Sequence, residues 1–323
     1  MSHLEMDTLN NLIFLIAGFT AVYFGGRYLV DGAAKLASAI GVRPFIIGTT
    51  IVAFGTSAPE FFLGLVAGMR GVSTVSLGNV IGANVSNITF ILALCAIISP
   101  IVIRFDMVRR EGMVALLSTI LFLLLAFDGQ ISIFDGSLMI ILFPLAIIIL
   151  FFLSRREKPS DAVSMEYKEI CSPCPKPLMS ALTLLVGLMI LLIGAQISID
   201  SAVNLAKAFG ISDFLIGLTL VTLGTTLPEI TVSIVAAFKK GTDIALGNSF
   251  GSIVFNTLVV AGMGGIFQSL PLSNMLLITG VIPLVLFILL VILLLRRHGG
   301  INRKYGAMLL ILYGIFLAIN FAF

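Results

Sequence analysis

Two glutamates stand inside apolar sequence, each just after a proline and a pair of hydroxyl residues. Residues 48–60 read GTTIVAFGTSAPE and residues 217–229 read GLTLVTLGTTLPE, so Gly55, Thr56, Pro59 and Glu60 recur as Gly224, Thr225, Pro228 and Glu229. The same step along the chain carries LGNVIGANVSN (77–87) onto LGNSFGSIVFN (246–256). An ionisable side chain inside a membrane span is costly and marks a functional site. Two of them at matching points of an internal repeat point to one site built by both halves.

The residues around each glutamate suit a dehydrated cation. Pro59 has no N–H, so the Gly55 carbonyl four residues back loses its helical partner, and Gly55 adds backbone freedom there. Bare carbonyls at membrane depth persist only where protein or a polar cavity satisfies them. Thr56 and Glu60 are four apart and share a helical face, so hydroxyl, carbonyl and carboxylate oxygens converge. Thr225, Thr226, Pro228 and Glu229 repeat the arrangement. On the following helix, Asn79, Ala83 and Asn87 form one stripe and Asn248, Ser252 and Asn256 the other. Asn87, Ser252 and Asn256 are expected nearest the glutamates. Asn79 and Asn248 fall nearer the helix start, where a cap or supporting role is as natural as ligation. Gly78, Gly82, Gly247 and Gly251 suit close helix approach. Hard oxygen donors favour calcium and sodium over softer metals.

Charge then constrains the cargo. Two ionised glutamates are neutralised by one divalent or two monovalent cations, and leaving both unpaired in a low-dielectric site is expensive. A site that must hold one set or the other is an exchanger site. Charge alone also permits protons as the counter-ion.

These residues need a scaffold, and the composition supplies its class. Apolar residues make up 59% of the chain, charged residues only 11%, and the mean hydropathy is +1.16. That describes an integral membrane protein. Apolar windows of about 20 residues, the length that crosses hydrocarbon, recur at 9–33, 43–69, 73–99, 111–127, 132–153, 178–203, 212–237, 243–267, 273–295 and 304–322. The opening MSHLEMD has no basic n-region, so the first window reads as a retained span. With the hydrophilic stretch 154–177 placed in the cytoplasm, all of the 19 Lys and Arg residues except Arg70 and Lys207 fall on the inside. Both termini then lie outside the cell membrane. Five spans per half turn the second half upside down. The expected fold is therefore an all-α integral membrane protein with ten transmembrane helices in two inverted-topology repeats of five. The first repeat is 1–153 with its signature at 48–87, a cytoplasmic linker occupies 154–177, and the second repeat is 178–323 with its signature at 217–256.

Other features have plainer readings. Asp31 and Asp200 are repeat-related and read as interfacial. Arg109, Arg110 and Glu111 read as a solvated loop, and Lys239–Lys240 as a topology signal. Cys171 and Cys174 with two scattered histidines, His3 and His298, do not make a four-ligand zinc site. No nucleophile–base pair or nucleotide motif suggests an enzyme, and discontinuous helices in a repeated monomer favour a carrier over a channel.

With GTSAPE at 55–60, GTTLPE at 224–229 and a GN-x-x-G helix after each, the chain resembles the sodium/calcium exchanger branch of the calcium/cation antiporter superfamily, of the compact prokaryotic type. The resemblance covers essentially the whole chain. It implies a secondary active antiporter working by alternating access. Calcium is bound by Glu60 and Glu229 with the carbonyls of Thr56 and Thr225. Sodium is bound through Ser57, Thr225, Thr226, Ser252 and the carbonyls of Ala53 and Thr222, with Asn87 and Asn256 lining the middle. The first helix of each half, 9–33 and 178–203, would slide across the rest. Ala83 stands where a serine is common, Thr226 replaces a serine, and Asn256 an aspartate of some relatives. No cofactor is implied; calcium and sodium are cargo, and the expected unit is a monomer in the plasma membrane with no nucleic-acid or obligatory protein partner. The competing expectation is a calcium or other cation/proton antiporter on the same scaffold.

Overall fold

The computed structural model describes residues 3–42, 44–69, 73–102, 105–155, 176–209, 222–267 and 269–322. The first half contains α1 (His3–Ile40), α2 (Pro44–Ile47), a π turn (Gly48–Val52), α3 (Ala53–Thr56) and α4 (Ala58–Met69). It continues with α5 (Ser73–Val85), a π turn (Ser86–Ile91), α6 (Leu92–Ile98), β1 (Ile101–Val102), α7 (Phe105–Leu125), β2 (Gln130–Ile131) and α8 (Ile133–Arg155). The second half contains α9 (Pro177–Ala208), α10 (Thr222–Thr225), α11 (Leu227–Phe238), α12 (Thr242–Phe255), a π turn (Asn256–Val260) and α13 (Ala261–Phe267). Then follow β3 (Leu270–Pro271), α14 (Asn274–Leu276), a π turn (Leu277–Val281), α15 (Ile282–His298), β4 (Gly300–Ile301) and α16 (Arg303–Ala322).

Joined across their π turns and breaks, the described helices supply all or part of each of the ten expected crossings. Among the described residues, seven stretches are long and apolar enough to span a bilayer alone, and Phe45–Thr56 with Ala58–Leu65 forms an eighth, bent by 43°. The shorter apolar stretches Ile133–Ile149 and Leu227–Phe238 complete the set. The first part of the expected span 212–237 lies outside the described residues.

Two short antiparallel pairings display the internal symmetry. β1 pairs with β4 (Ile101 with Ile301), and β2 pairs with β3 (Gln130 with Pro271). The repeat step carries β1 onto β3 and Ile131 onto Gly300, so each pairing is the image of the other to within one residue of register. One clips the loop between crossings three and four to that between nine and ten. The other clips the four–five loop to the eight–nine loop. These loops lie on opposite faces of a ten-span chain, as a two-fold axis in the membrane plane requires.

α1 runs beyond the expected 33 to Ile40 because Leu29, Ala33, Leu36 and Ala37 keep a buried face through the extra turns. It stops at Gly41, whose φ of +71° allows Val42 N–H to reach back to the Ala37 carbonyl at 2.9 Å. α1 lies along α9 at backbone contact: a Cβ added at Gly18, Gly25 or Gly32 would run into Ser198, Leu191 or Leu184. A second close approach sets the centre. A Cβ on Gly247 would sit 2.5 Å from the Phe45 carbonyl, and one on Gly251 2.7 Å from Ala53 Cβ, so α12 rides against α2 and α3. The related contact of Gly78 and Gly82 would fall on 210–221, outside the described residues.

Arg109, Arg110 and Glu111 are not a solvated loop. They belong to α7, and Glu111 is buried, because the helix begins at Phe105 and packs on α15 and α12.

Candidate functional site

Both signature helices break at the residue before the Pro-Glu turn. Ser57 (φ −81°, ψ 10°) and Thr226 (φ −84°, ψ −1°) take nearly the same conformation, at the bridge-region edge of the helical basin. Proline prevents the preceding turn from closing, and the helix restarts where Phe61 N–H meets the Ser57 carbonyl and Ile230 N–H the Thr226 carbonyl, both at 3.0 Å. Glu60 and Glu229 therefore sit in the first turns of α4 and α11, where the helix dipole favours negative charge.

The two breaks meet at the centre of the protein. Glu60, Glu229, Thr56, Ser57, Thr225, Thr226, Ser252, Asn87 and Asn256 are all buried, as is Ala53. The Ser57 hydroxyl of the first repeat donates to Glu229 Oε1 of the second at 2.8 Å and shares a 3.0 Å hydrogen bond with the Ser252 hydroxyl. At the position related to Ser252 stands Ala83, buried and without a hydroxyl. Thr222 opens α10 on the second-repeat side.

What these groups leave unmade is as informative as what they make. Both carboxylate oxygens of Glu60, Glu229 Oε2, and the Oδ1 and Nδ2 of both Asn87 and Asn256 are buried with no hydrogen-bond partner. Buried polar atoms are nearly always bonded, and an unpaired buried carboxylate is strongly unfavourable. Three carboxylate oxygens and two amide oxygens left this way are a set that a cation would satisfy. Among the described residues no group of three or more His, Cys, Asp or Glu side chains assembles, so the remaining donors are neutral oxygens of the kind sodium and calcium prefer. Asn87 and Asn256 each open out within a π turn, at repeat-related places. Such widened turns recur at functional sites.

Asn79 and Asn248 are more central than their place near the helix start suggests. The Thr56 hydroxyl meets Asn248 Oδ1 at 3.1 Å, and its repeat image, the Thr225 hydroxyl, meets Asn79 Oδ1 at 3.4 Å. Each bond crosses from one repeat to the other. Asn248 Nδ2 donates onward to Ser233 Oγ at 3.2 Å, while Asn79 Nδ2 has no partner. The Ala53 carbonyl accepts Ser57 N–H at 3.0 Å and the Thr56 hydroxyl at 3.2 Å. Asn84, not singled out from the sequence, donates to the Thr257 hydroxyl across the repeats at 3.0 Å. The repeat positions opposite them are Ile253 and Ile88, so internal symmetry gave no signal for that pair. Phe54, Phe143 and Phe255 pack around the break, with Phe54 stacked on Phe255 at 5.1 Å.

Comparison with known proteins agrees with this geometry. A family model described as sodium/calcium exchanger protein matches residues 10–152 and 179–322. An uncharacterised membrane protein of Methanocaldococcus jannaschii is 33% identical over 94% of this chain and 96% of its own. The sodium/calcium exchanger MaX1 of Methanosarcina acetivorans is 29% identical over 98% of this chain and 99% of its own. The solved sodium–calcium exchanger NCX_Mj, soaked with 10 mM sodium and no calcium, superposes with a TM-score of 0.84 at 31% identity, covering 96% of this chain and 99% of that one.

Proposed function

The chain belongs to the sodium/calcium exchanger protein family and is a multi-pass membrane antiporter of that type rather than an enzyme, and from that premise we propose how its own residues carry the ions. Glu60 and Glu229 hold calcium between them, with the carbonyls of Thr56 and Thr225. Sodium occupies the flanks of the same cage, through Ser57, Thr226, Ser252 and the hydroxyl of Thr225, with the carbonyls of Ala53 and Thr222. Asn87 and Asn256 line the middle. Both termini lie outside the plasma membrane, and the halves 1–153 and 178–323 join through the cytoplasmic linker 154–177.

One observation carries this reading: both carboxylate oxygens of Glu60, Oε2 of Glu229 and the amide oxygens of Asn87 and Asn256 are buried without a hydrogen-bond partner. A cation supplies the missing positive charge, and two carboxylates match one calcium or two sodium ions. Because the cage without ions buries uncompensated charge, passage through that state is slow, and the inward move of one ion type is tied to the outward move of the other. Alternating access follows from sliding α1 and α9 as a unit over the breaks, since those helices pack on each other along glycines and meet the core through α11 and α3.

The test is calcium uptake into vesicles reconstituted with the purified protein. Uptake is expected with an outward sodium gradient and absent with a proton gradient alone. Uptake driven by protons without sodium would overturn the sodium assignment.

A further inference from the structure

Asp31 of α1 pairs with Lys239 at the end of α11. Arg27 and Lys35 stand four residues away from Asp31 on its own helix, both exposed, yet the carboxylate reaches across to the core. α11 is a twelve-residue helix with Glu229 in its first turn and Lys239 as its C-cap. The ion pair and the cation cage are thus opposite ends of one rod about 18 Å long. The repeat step carries Asp31 onto Asp200 of α9 and Lys239 onto Arg70, which lies outside the described residues. Asp200 accepts a 2.9 Å hydrogen bond from Gln196 of its own helix. In the orientation proposed above, the Asp31–Lys239 pair lies on the cytoplasmic face and Asp200 on the outer face.

The cage is asymmetric in the same sense. On the cytoplasmic side the Thr56–Asn248 bond is 3.1 Å between fully buried residues; on the outer side Thr225–Asn79 is 3.4 Å, with both residues 8% exposed. The protein is tighter on the face where the ion pair is made.

We infer that Asp31 and Lys239 are a cytoplasmic latch, positioning the long helices α1 and α9 over the ion-bearing core in one access state. Alternating access moves one part of the fold against the other around a fixed site, so a latch closed in one state opens in the other. The pair is suited to that cycle. Its side chains are 30% and 37% exposed, so water screens it and it opens readily, unlike a buried pair. The inference rests on the alternating-access reading and on its orientation.

The experiment measures the half-saturating calcium concentration at each face, in right-side-out and inside-out vesicles from an expressing bacterium. Asp31 is the residue to change, because Lys240 beside Lys239 offers a substitute cation. Opening a latch shifts the population between states, and a half-exposed pair sets a shift of about two- to five-fold. Asp31→Asn is expected to strengthen apparent calcium affinity at the cytoplasmic face and weaken it at the outer face by that factor. Asp31→Lys combined with Lys239→Asp restores both. A general packing defect moves both faces the same way. Shifts of equal sign, no shift, or failure of the charge swap to restore affinity would each overturn the latch. A mirror-image pattern, with Asp31→Asn acting as an outer-face variant, would keep the latch and overturn the orientation.

Discussion

Gly251→Ala tests whether close approach of α12 to the first-repeat helix sets the cage. The added methyl would meet Ala53 Cβ at 2.7 Å and collide with the Thr49 carbonyl, whereas ordinary contact begins near 3.4 Å. Backbone on both sides cannot rotate away, so the two helices must separate by on the order of 1 Å. Asn248 lies one turn before Gly251 on α12 and Thr56 one turn beyond Ala53 on the partner. Opening that gap stretches their 3.1 Å hydrogen bond to about 4 Å, past the range where one exists. Ser252, next to Gly251, moves off the Ser57 hydroxyl now 3.0 Å away. The cost to folding is that of overpacking, about 1–3 kcal/mol. Sodium-driven calcium uptake is expected to fall at least about tenfold, since a shift of this size at a positioned site is that damaging. The protein should still elute as a single species on gel filtration, with a lowered melting temperature. Gly241→Ala is the control: its nearest foreign atom is 3.6 Å away, and it should transport normally. Wild-type uptake and melting by Gly251→Ala would refute the claim that backbone contact sets the site.

Three further outcomes are expected. Glu60→Gln should abolish calcium uptake yet raise the melting temperature in ion-free buffer, because it removes a buried charge with no hydrogen bond; calcium at a hundredfold over its dissociation constant, worth about 2.7 kcal/mol to the wild type, should no longer stabilise the variant. Ala83→Ser should lower the half-saturating sodium concentration for exchange with little effect on calcium, read in the same vesicle assay, since it restores a hydroxyl opposite Ser252. Asn248→Ala should destabilise the protein by about 2 kcal/mol, two buried hydrogen bonds, and Asn79→Ala by less, because Asn79 makes one long bond only; equal melting shifts would contradict the geometry.

Much of this protein is written in its chain order. The ten crossings, the inverted halves and the paired Pro-Glu breaks follow from apolar length, basic-residue placement and the repeat, because a bilayer imposes one length scale and forces every backbone group to be satisfied. Glu60 and Glu229 were legible for the same reason: a carboxylate among apolar residues has no bland explanation when it occurs twice. Residues without that signal were not. Glu111 follows two arginines and reads as loop, and only the packing of α7 on α15 and α12 buries it. Asn84 and Thr257 face isoleucines under the repeat, so nothing in the spacing announces their bond.

The sequence by itself determined which side chains are available and that both repeats must contribute. The tertiary structure decided which of them touch. Hydrogen bonds reach only about 3 Å, and whether Thr56 meets Asn248 or Ser57 meets Glu229 depends on how two distant helices lie at glycine contact. It also decided the inequality of the halves. The same step along the chain relates Thr56–Asn248 to Thr225–Asn79 and Asp31 to Asp200, but the two bonds differ in length and only Asp31 reaches a lysine of the other repeat among the described residues.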